Sequence, residues 1–305
     1  MYSQIKNFLQ EDQLSKPWPE LMKFIISIIN ENPKHILIPG LIAAAYGGKA
    51  ENLVVSDAAL TLFYGAIVAV DSILDGDRFG PVAGYTAGEL ANLSLGLAGW
   101  GFHTLSGLSE PLEKSKPYET LSRLLCQVSA GQALDAGNPE TEEAYWALAT
   151  LKSGSFFSGA FVLGGLAGGA GAADQAQLAA LGRIYGLMLQ IHDDLRDALE
   201  RPANPDWLNG RFTLPILYAH LVDHPDRERF DAIRLRVSDE ALLEEAQTIL
   251  LRSGALSYGF YQIQEYYDQA LLALEGLSLA DSQVIRRMFA ELRHPVEQLL
   301  TLAGD

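Results

Sequence analysis

The sequence predicts an all-α protein, with residues 1–305 forming a single large helical domain. Long segments with the apolar period of a helix recur along the chain, while alternating apolar and polar runs and Asn-Gly hairpin turns are almost absent. Hydrophobic residues make up 49% of the chain and charged residues 20%, which is an ordinary globular composition and excludes disorder. No Ser/Gly-rich linker separates the segments, so we expect them to share one core.

Eleven segments carry the helical period, and breaks rich in Gly, Pro and Asp separate them. The breaks fall at Gly76–Pro81, Gly107–Pro117, Gly137–Thr141, Arg201–Gly210 and Asp223–Asp226. The predicted helices cover about residues 19–31, 36–46, 53–75, 86–106, 117–136, 140–167, 174–200, 211–222, 239–253, 258–274 and 280–303.

The longest apolar stretch of the chain is the candidate for a membrane span. Phe156–Ala173 is 18 residues long without a charge, but six of its residues are glycine and few are large. That composition predicts a buried core helix that ends in a turn near Gly168–Gly171, and no membrane span.

The charge balance narrows the possible partners. Acidic residues outnumber basic ones 38 to 22, giving a net charge of −16 that repels nucleic acid. The single cysteine, Cys126, excludes a disulfide framework and a cysteine zinc site, and we expect it to be a small core residue. Met1–Trp18 is polar and mixed in charge, unlike a secretory signal, so we expect a cytoplasmic protein.

Two otherwise apolar helices contain clustered aspartates. Asp71 and Asp75 are four residues apart, as are Asp193 and Asp197, so each pair lies on one face of its helix. Oxygen ligands without cysteine favour Mg²⁺, which completes its shell with substrate phosphates. Facing acidic helices of this kind could clamp a diphosphate. The alternative is that both motifs are solvated helix ends.

These motifs occur in an order that resembles the trans-isoprenyl diphosphate synthase (polyprenyl synthetase) family, over about residues 30–275. Asp71-Ser72-Ile73-Leu74-Asp75 resembles the family's first DDxxD motif, with serine in the second position, and Asp193-Asp194-Leu195-Arg196-Asp197 matches the second motif. Three shorter segments resemble the family's GQxxD, KTG and GKxTxP: Gly131-Gln132-Ala133-Leu134-Asp135, Lys152-Ser153-Gly154 and Gly210-Arg211-Phe212-Thr213-Leu214-Pro215.

The resemblance implies helices around a central apolar cavity, with the metal site at its mouth and Asp75 facing Asp193. It implies a homodimer and three Mg²⁺ ions that withdraw diphosphate from an allylic substrate. The metal ligands would be Asp71, Asp75 and Asp193, with Asp194 and Asp197 as further ligands or supports. The other implied substrate or catalytic contacts are Arg78, Lys152, Gln190 and Arg211, and Phe156 could line the hydrocarbon pocket.

The sequence departs from the family at the implied site for isopentenyl diphosphate. The family's GKxxRP segment reads Asn32–Pro39 here, without arginine, and its RRG reads Arg78-Phe79-Gly80. The loop that follows contains no histidine. A second diphosphate needs cations that offset its desolvation.

Four functions therefore remain open. The chain could elongate an allylic diphosphate with isopentenyl diphosphate, using Lys34, His35 and Lys49 as substitutes. It could instead act as a terpene synthase, or transfer the prenyl group to an uncharged acceptor. The fourth possibility is a non-catalytic subunit of a heteromeric synthase, which would have no reason to keep the second motif.

The chain length is predicted from the helix before the first motif. Ala66 and Ile67 stand where relatives that stop at fifteen carbons carry bulky aromatics, and Phe63 lies one turn further from Asp71. A floor about 5.4 Å deeper predicts a substrate or product of about twenty carbons. The alternative is that Ala66 only packs against a neighbouring helix.

Overall fold

The computed structural model describes residues 1–109, 114–135 and 137–303, with side chains described up to residue 294. The all-α prediction is confirmed, since these residues form fifteen α-helices and no strand. The helices are α1 Tyr2–Glu11, α2 Pro19–Asn30, α3 Ile38–Ala45, α4 Ala50–Asp75, α5 Ala87–Leu105, α6 Lys116–Asp135, α7 Glu142–Ala149, α8 Ser155–Gly168, α9 Ala172–Leu199, α10 Pro205–Leu208, α11 Leu214–Leu221, α12 Arg227–Ile233, α13 Glu240–Arg252, α14 Ala255–Glu275 and α15 Gln283–Ala303.

Three differences separate these helices from the predicted ones. The sequence analysis missed α1, α10 and α12. The single helix predicted over 140–167 is divided by a π-helical turn at Thr150–Gly154. Residues 110–113, in a predicted break, and residue 136, at a predicted helix end, lie outside the described part of the chain.

The chain falls into two compact units, of which the first comprises Met1–Cys126, Ser158–Gly182 and Gly276–Ile285. Its central helix, α4, packs against α1, α2, α3 and α5. Within the described residues α4 is also the one helix long and apolar enough to cross a membrane, and two thirds of its most apolar window is buried. The helix α8 ends at Gly168, where the sequence predicted a turn.

Asp57 of α4 anchors the start of α3. Its Oδ1 accepts a hydrogen bond of 2.6 Å from the Gly40 amide, in the first turn of α3, where backbone donors lack helical partners. A Cβ on Gly40 would lie 2.5 Å from Asp57 Oδ2, so only glycine allows this approach. Asp57 is fully buried, and burial raises its pKa to about 7.

The second unit comprises Gln127–Phe157, Arg183–Glu275 and Arg286–Asp305. In it α11 packs against α7, α12, α13 and α14. Glycines bring the backbone of the turn Thr150–Gly154 close to two helices: a Cβ on Gly131 would lie 2.7 Å from the Lys152 amide nitrogen, and one on Gly186 would lie 3.0 Å from Gly154 Cα. Gly131 and Gly186 therefore allow the turn that carries Lys152 to pack closely against both helices.

Candidate functional site

The second unit contains a cavity of about 80 Å³ with a mostly polar lining. It brings together residues from four sequence motifs that are far apart in the chain. The lining residues are Asp135, Asn138, Pro139, Tyr145, Leu148, Ala149, Lys152, Gln190, Asp194, Asp206, Arg211, Phe212 and Thr213. The cavity is the candidate site.

Two cations meet on one carboxylate in this cavity. Lys152 Nζ lies 2.8 Å from Asp135 Oδ2, and Arg211 Nη1 lies 3.1 Å from the same oxygen. The guanidinium also contacts Asp206, with 3.4 Å between Nε and Oδ1. The turn Thr150–Gly154 and the loop before α11 thereby present their cations at one place, as an anion site requires.

Asp194 of the second motif is held by three donors. Its Oδ2 accepts hydrogen bonds of 2.7 Å from both Tyr145 Oη and the Leu214 amide, and its Oδ1 accepts one of 2.9 Å from Gln190 Nε2. Asp194 is only 4% exposed, and this burial raises its pKa to about 6 although all three hydrogen bonds oppose the rise. The carboxylate ties α9 to α7 and to the N-terminus of α11.

Gln190 extends this network to the Lys152 turn. Ser153 Oγ donates a hydrogen bond of 2.6 Å to Gln190 Oε1. The turn that carries Lys152 is therefore connected through Gln190 to the second aspartate motif.

The outer aspartates of the second motif share a cation of their own. Arg196 Nη1 lies 3.2 Å from Asp193 Oδ1, and Arg196 Nη2 lies 3.2 Å from Asp197 Oδ1. Burial raises the pKa of Asp193, while Arg196 opposes that rise. Two carboxylates that already face one cation are a donor set suited to Mg²⁺, which takes a few carboxylates together with phosphate oxygens. Within the described residues no three or more acidic, His or Cys side chains form a metal cluster by themselves.

The first motif lies at the end of α4, in the other unit. Asp71 is half-buried, Ser72 is buried, and Asp75 is exposed as the last helical residue. Gly76 ends the helix with a φ of 73°, a left-handed conformation that favours glycine. Arg78 is exposed, and its Nη1 donates to the carbonyl of Asp77. Asp75 therefore has the solvated setting that the alternative interpretation described, whereas Asp194 of the second motif is buried.

The residues expected to contact hydrocarbon are apolar and largely buried. In the second unit Phe156 packs edge-on against Phe157, with 5.2 Å between ring centroids, and Phe157 contacts Tyr185 at 5.1 Å. In the first unit Phe63 is fully buried against Phe102, at a centroid distance of 4.9 Å.

The other two predicted chain-length residues differ in their surroundings. Ala66 belongs to the hydrophobic core cluster that includes Ile5, Leu62 and Ala69, so its face of α4 is covered by protein. Ile67 is half-buried. The packing of Ala66 favours the alternative that this residue contacts neighbouring helices.

The three proposed substitutes for the isopentenyl diphosphate site are not equivalent. Lys34 and Lys49 are exposed. The ring of His35 packs against Tyr64 at 4.3 Å, and burial lowers its pKa to about 4, so the imidazole is neutral at pH 7. Phe79, in place of the second arginine of RRG, is 86% exposed. His35 therefore adds no positive charge for an anion.

Sequence reasoning missed three contributors to the cavity. Tyr145 was hidden in an ordinary helical period, although it lies seven residues before Lys152 and so falls on the same side of a helix. Asp135 was identified only as part of the segment that resembles GQxxD, and no role was predicted for it. Thr213 Oγ1 is buried and makes no hydrogen bond to the described residues, a feature that only coordinates reveal.

Comparisons with known proteins find isoprenyl diphosphate synthases among the relatives of this chain. The chain is 33% identical over 176 residues to a short chain isoprenyl diphosphate synthase of Methanothermobacter thermautotrophicus, and the match covers 54% of each protein. It is 26% identical to a geranylgeranyl diphosphate synthase of Methanosarcina mazei, over 72% of this chain and 71% of that one. The aligned part thus spans about half the length of the first relative.

Solved structures show the same fold. A geranylgeranyl pyrophosphate synthetase from Geoglobus acetivorans superposes with a TM-score of 0.79 at 20% identity, covering 97% of this chain and 95% of that one. The family profile for polyprenyl synthetase matches residues 51–250, which include both aspartate motifs, Lys152 and Arg211. The chain belongs to the polyprenyl synthetase family.

Proposed function

We propose that this chain is a Mg²⁺-dependent prenyl diphosphate synthase that ionises an allylic prenyl diphosphate and forms a product of about twenty carbons. The observation that supports this most is the convergence of Lys152 and Arg211 in a cavity that also contains Gln190 and Asp194. The names of the relatives support the same reaction class.

The cations of the cavity bind the leaving group in this proposal. Lys152 and Arg211 hold the diphosphate of the allylic substrate, and the hydroxyl of Thr213 donates to one of its oxygens. When the C–O bond breaks, the electron pair stays with the diphosphate, and these donors stabilise the added charge. An allylic carbocation is left.

The aspartates supply the metal ligands. Asp71, Asp75, Asp193 and Asp197 would hold Mg²⁺, whose chemistry is to act as a Lewis acid on the diphosphate oxygens. The three donors around Asp194 favour a supporting role for this residue, one of the two that the family resemblance left open. Asp194 then keeps the start of α11, and with it Thr213, beside the motif.

Apolar and aromatic side chains protect the cation. Phe156 lies four residues after Lys152, so it is one helical turn from the proposed diphosphate site. Aromatic faces stabilise a passing carbocation by cation–π interaction and exclude water. In the synthase reaction the double bond of isopentenyl diphosphate attacks the cation, and loss of a proton completes the product.

A second candidate reaction follows from the environment of His35 and Phe79. A neutral, half-buried imidazole and an exposed phenyl ring stand where a second diphosphate would need cations. These observations are the basis of the second candidate, which is ionisation without isopentenyl diphosphate, with the cation either cyclising or passing to an uncharged acceptor. A non-catalytic subunit would not need the cation cluster around Asp135.

One experiment separates these reactions. The protein is incubated with Mg²⁺ and geranyl, farnesyl or geranylgeranyl diphosphate, with and without isopentenyl diphosphate, and the product masses are measured. A longer diphosphate supports the synthase, and a hydrocarbon or alcohol supports the second candidate. Absence of diphosphate release from every substrate contradicts both.

We also propose that the protein is a cytoplasmic homodimer. Light scattering tests the oligomeric state, and localisation of the tagged protein tests the compartment.

A further inference from the structure

Asp135 links two elements that the chain brings together from distant positions. It is the last residue of α6, and its side chain is 18% exposed. One of its oxygens, Oδ2, contacts both Lys152 from the π-helical turn and Arg211 from the loop before α11. Because both contact the same oxygen, Lys152 Nζ and Arg211 Nη1 lie at most about 6 Å apart.

Two like charges at this separation repel each other, and the repulsion is stronger where the side chains are partly buried. Lys152 and Arg211 are 30% and 28% exposed. A carboxylate between them offsets the repulsion and fixes the direction in which each cation points. Without it, the flexible lysine and arginine side chains would have to be ordered by the ligand, which lowers its affinity.

The backbone gives Asp135 a fixed position. Gly131 lies one helical turn earlier on the same face of α6, and its missing side chain lets α6 approach the backbone of Lys152 directly. The contact between Asp135 and Lys152 therefore spans two backbones that are themselves in close contact.

We propose that Asp135 is a positioning residue that orders Lys152 and Arg211 for an incoming diphosphate. The ammonium of Lys152 and the guanidinium of Arg211 carry several N–H donors each, and such charged donors bind phosphate oxygens. The proposal rests on the proposed function, because that function assigns both cations to the diphosphate. Asp135 acts through them and does not touch the substrate.

The test is binding of inorganic diphosphate in the presence of Mg²⁺, measured by calorimetry on the full chain. Asp135→Asn removes the charge but keeps the size, and we expect its affinity to fall about tenfold. Asp135→Glu keeps the charge, and we expect it to regain most of that loss. Glu245→Gln is the matched control, since Glu245 pairs with Arg229 on the surface at 2.6 Å, and it should bind as the wild type does.

Steady-state kinetics on the same variants adds a second readout. Asp135→Asn should raise KM for the allylic diphosphate and also lower kcat, because poorly ordered cations stabilise the leaving group less. Circular dichroism melting of each variant reports any loss of folding.

The possible results separate this proposal from the proposed function. Wild-type affinity in Asp135→Asn overturns the positioning role, and so does an equal loss in Asp135→Asn and Asp135→Glu accompanied by a lower melting temperature. Wild-type affinity in Lys152→Met overturns the proposed function itself. Weak binding by Asp135→Asn and Lys152→Met, with recovery in Asp135→Glu, supports both.

Discussion

The Asp194 carboxylate shows what single residues contribute to this site. Its charge is buried at a cost that the hydrogen bonds from Tyr145, Gln190 and the Leu214 amide offset. The sequence placed Asp194 in the motif but could not reveal this environment, because the donors Tyr145 and the Leu214 amide come from distant segments of the chain.

Tyr145→Phe tests the hydrogen bond to Asp194. Removing the hydroxyl leaves a buried carboxylate with one donor fewer, so we expect the free energy of unfolding to fall by about 1–3 kcal/mol. Urea denaturation measures the change. Tyr261→Phe, at a tyrosine that is 57% exposed on α14, is the control and should change little. Equal stability of Tyr145→Phe and the wild type would contradict the network described for Asp194.

Arg196 competes for the outer carboxylates of the second motif. Because its guanidinium lies 3.2 Å from both Asp193 and Asp197, a metal ion that uses these oxygens must displace it. The side chain is 70% exposed, and an exposed ion pair contributes at most about 1 kcal/mol, so Arg196→Gln should lower the Mg²⁺ concentration for half-maximal activity by up to about fivefold.

A Mg²⁺ titration of diphosphate release measures this effect of Arg196→Gln. Arg229→Gln, which also breaks a surface ion pair, serves as the control and should leave the titration unchanged. A higher Mg²⁺ requirement in Arg196→Gln would show that the arginine assists metal binding and does not compete with it.

Single residues are also where sequence reasoning failed most clearly. Cys126 was expected in the core because it follows two leucines, yet the structure exposes it on α6. Its neighbours on the helix explain the error: Leu124 and Val128 are buried, and Cys126 falls on the other side. The apolar run Leu124-Leu125-Cys126 therefore did not show which of its residues lies on the buried face of α6.

At the scale of the element, the buried Asp57 of α4 accepts a hydrogen bond from the backbone at the start of α3. Burial raises the pKa of Asp57 to about 7, above the unfolded value near 3.8. The native state therefore retains this proton between about pH 4 and 7 while the unfolded chain loses it. It follows that the contribution of Asp57 to stability decreases as the pH rises through this window.

Asp57→Asn removes this titration but keeps an oxygen for the Gly40 amide. We expect the difference in free energy of unfolding between the variant and the wild type to grow in favour of the variant by about 2–3 kcal/mol from pH 5 to pH 8. Urea denaturation at both pH values measures the difference. A gap between the two proteins that does not change with pH would contradict the pKa assigned to Asp57.

The packing of α4 determines what substitutions at the predicted chain-length positions should do. Ala66 lies inside a packed cluster, so Ala66→Phe should lower stability by about 1–3 kcal/mol through overpacking. Ile67 is one turn before Asp71 on the same helix face, and Ile67→Phe should shorten the product while retaining the fold. Product masses and melting temperatures test this; a shorter product from Ala66→Phe without loss of stability would contradict it.

That Phe63 closes the hydrocarbon pocket remains a prediction. Phe63 is fully buried against Phe102, and Phe63→Ala would open space one turn below Ile67. The variant should admit a longer chain. Unchanged product length in both Phe63→Ala and Ile67→Phe would show that this face of α4 does not line the pocket.

Helices with a strong apolar period were predictable, and the short ones were not. The bounds of α4, α5 and α9 lie within three residues of the predicted ones. By contrast, only Ile5 and Leu9 of α1 are buried, and most of the other residues in this segment are polar. The π-helical turn depends on close packing with Gly131 and Gly186, so the local sequence carries little signal for it.

For the whole molecule, the sequence predicted the all-α class directly, whereas the roles of the site residues remain predictions. The order of motifs predicted which residues belong together, and the structure brings Lys152, Gln190, Asp194 and Arg211 into one cavity. The contacts of Asp135 with the two cations and of Tyr145 with Asp194 depend on packing between distant segments. Such packing could not be predicted from the sequence. A single domain over residues 1–305 remains a prediction.

The central claim is that the aspartates of both motifs and the cation cluster together release diphosphate from an allylic prenyl substrate. The most direct measurement is Mg²⁺-dependent release of diphosphate from farnesyl and geranylgeranyl diphosphates, followed for the wild type, Asp71→Ala and Asp193→Ala, with Glu245→Gln as a control. We expect release by the wild type and by Glu245→Gln, and a loss of at least about 100-fold in both aspartate variants. Wild-type release rates in Asp71→Ala and Asp193→Ala, or no release by the folded wild-type protein, would contradict the account.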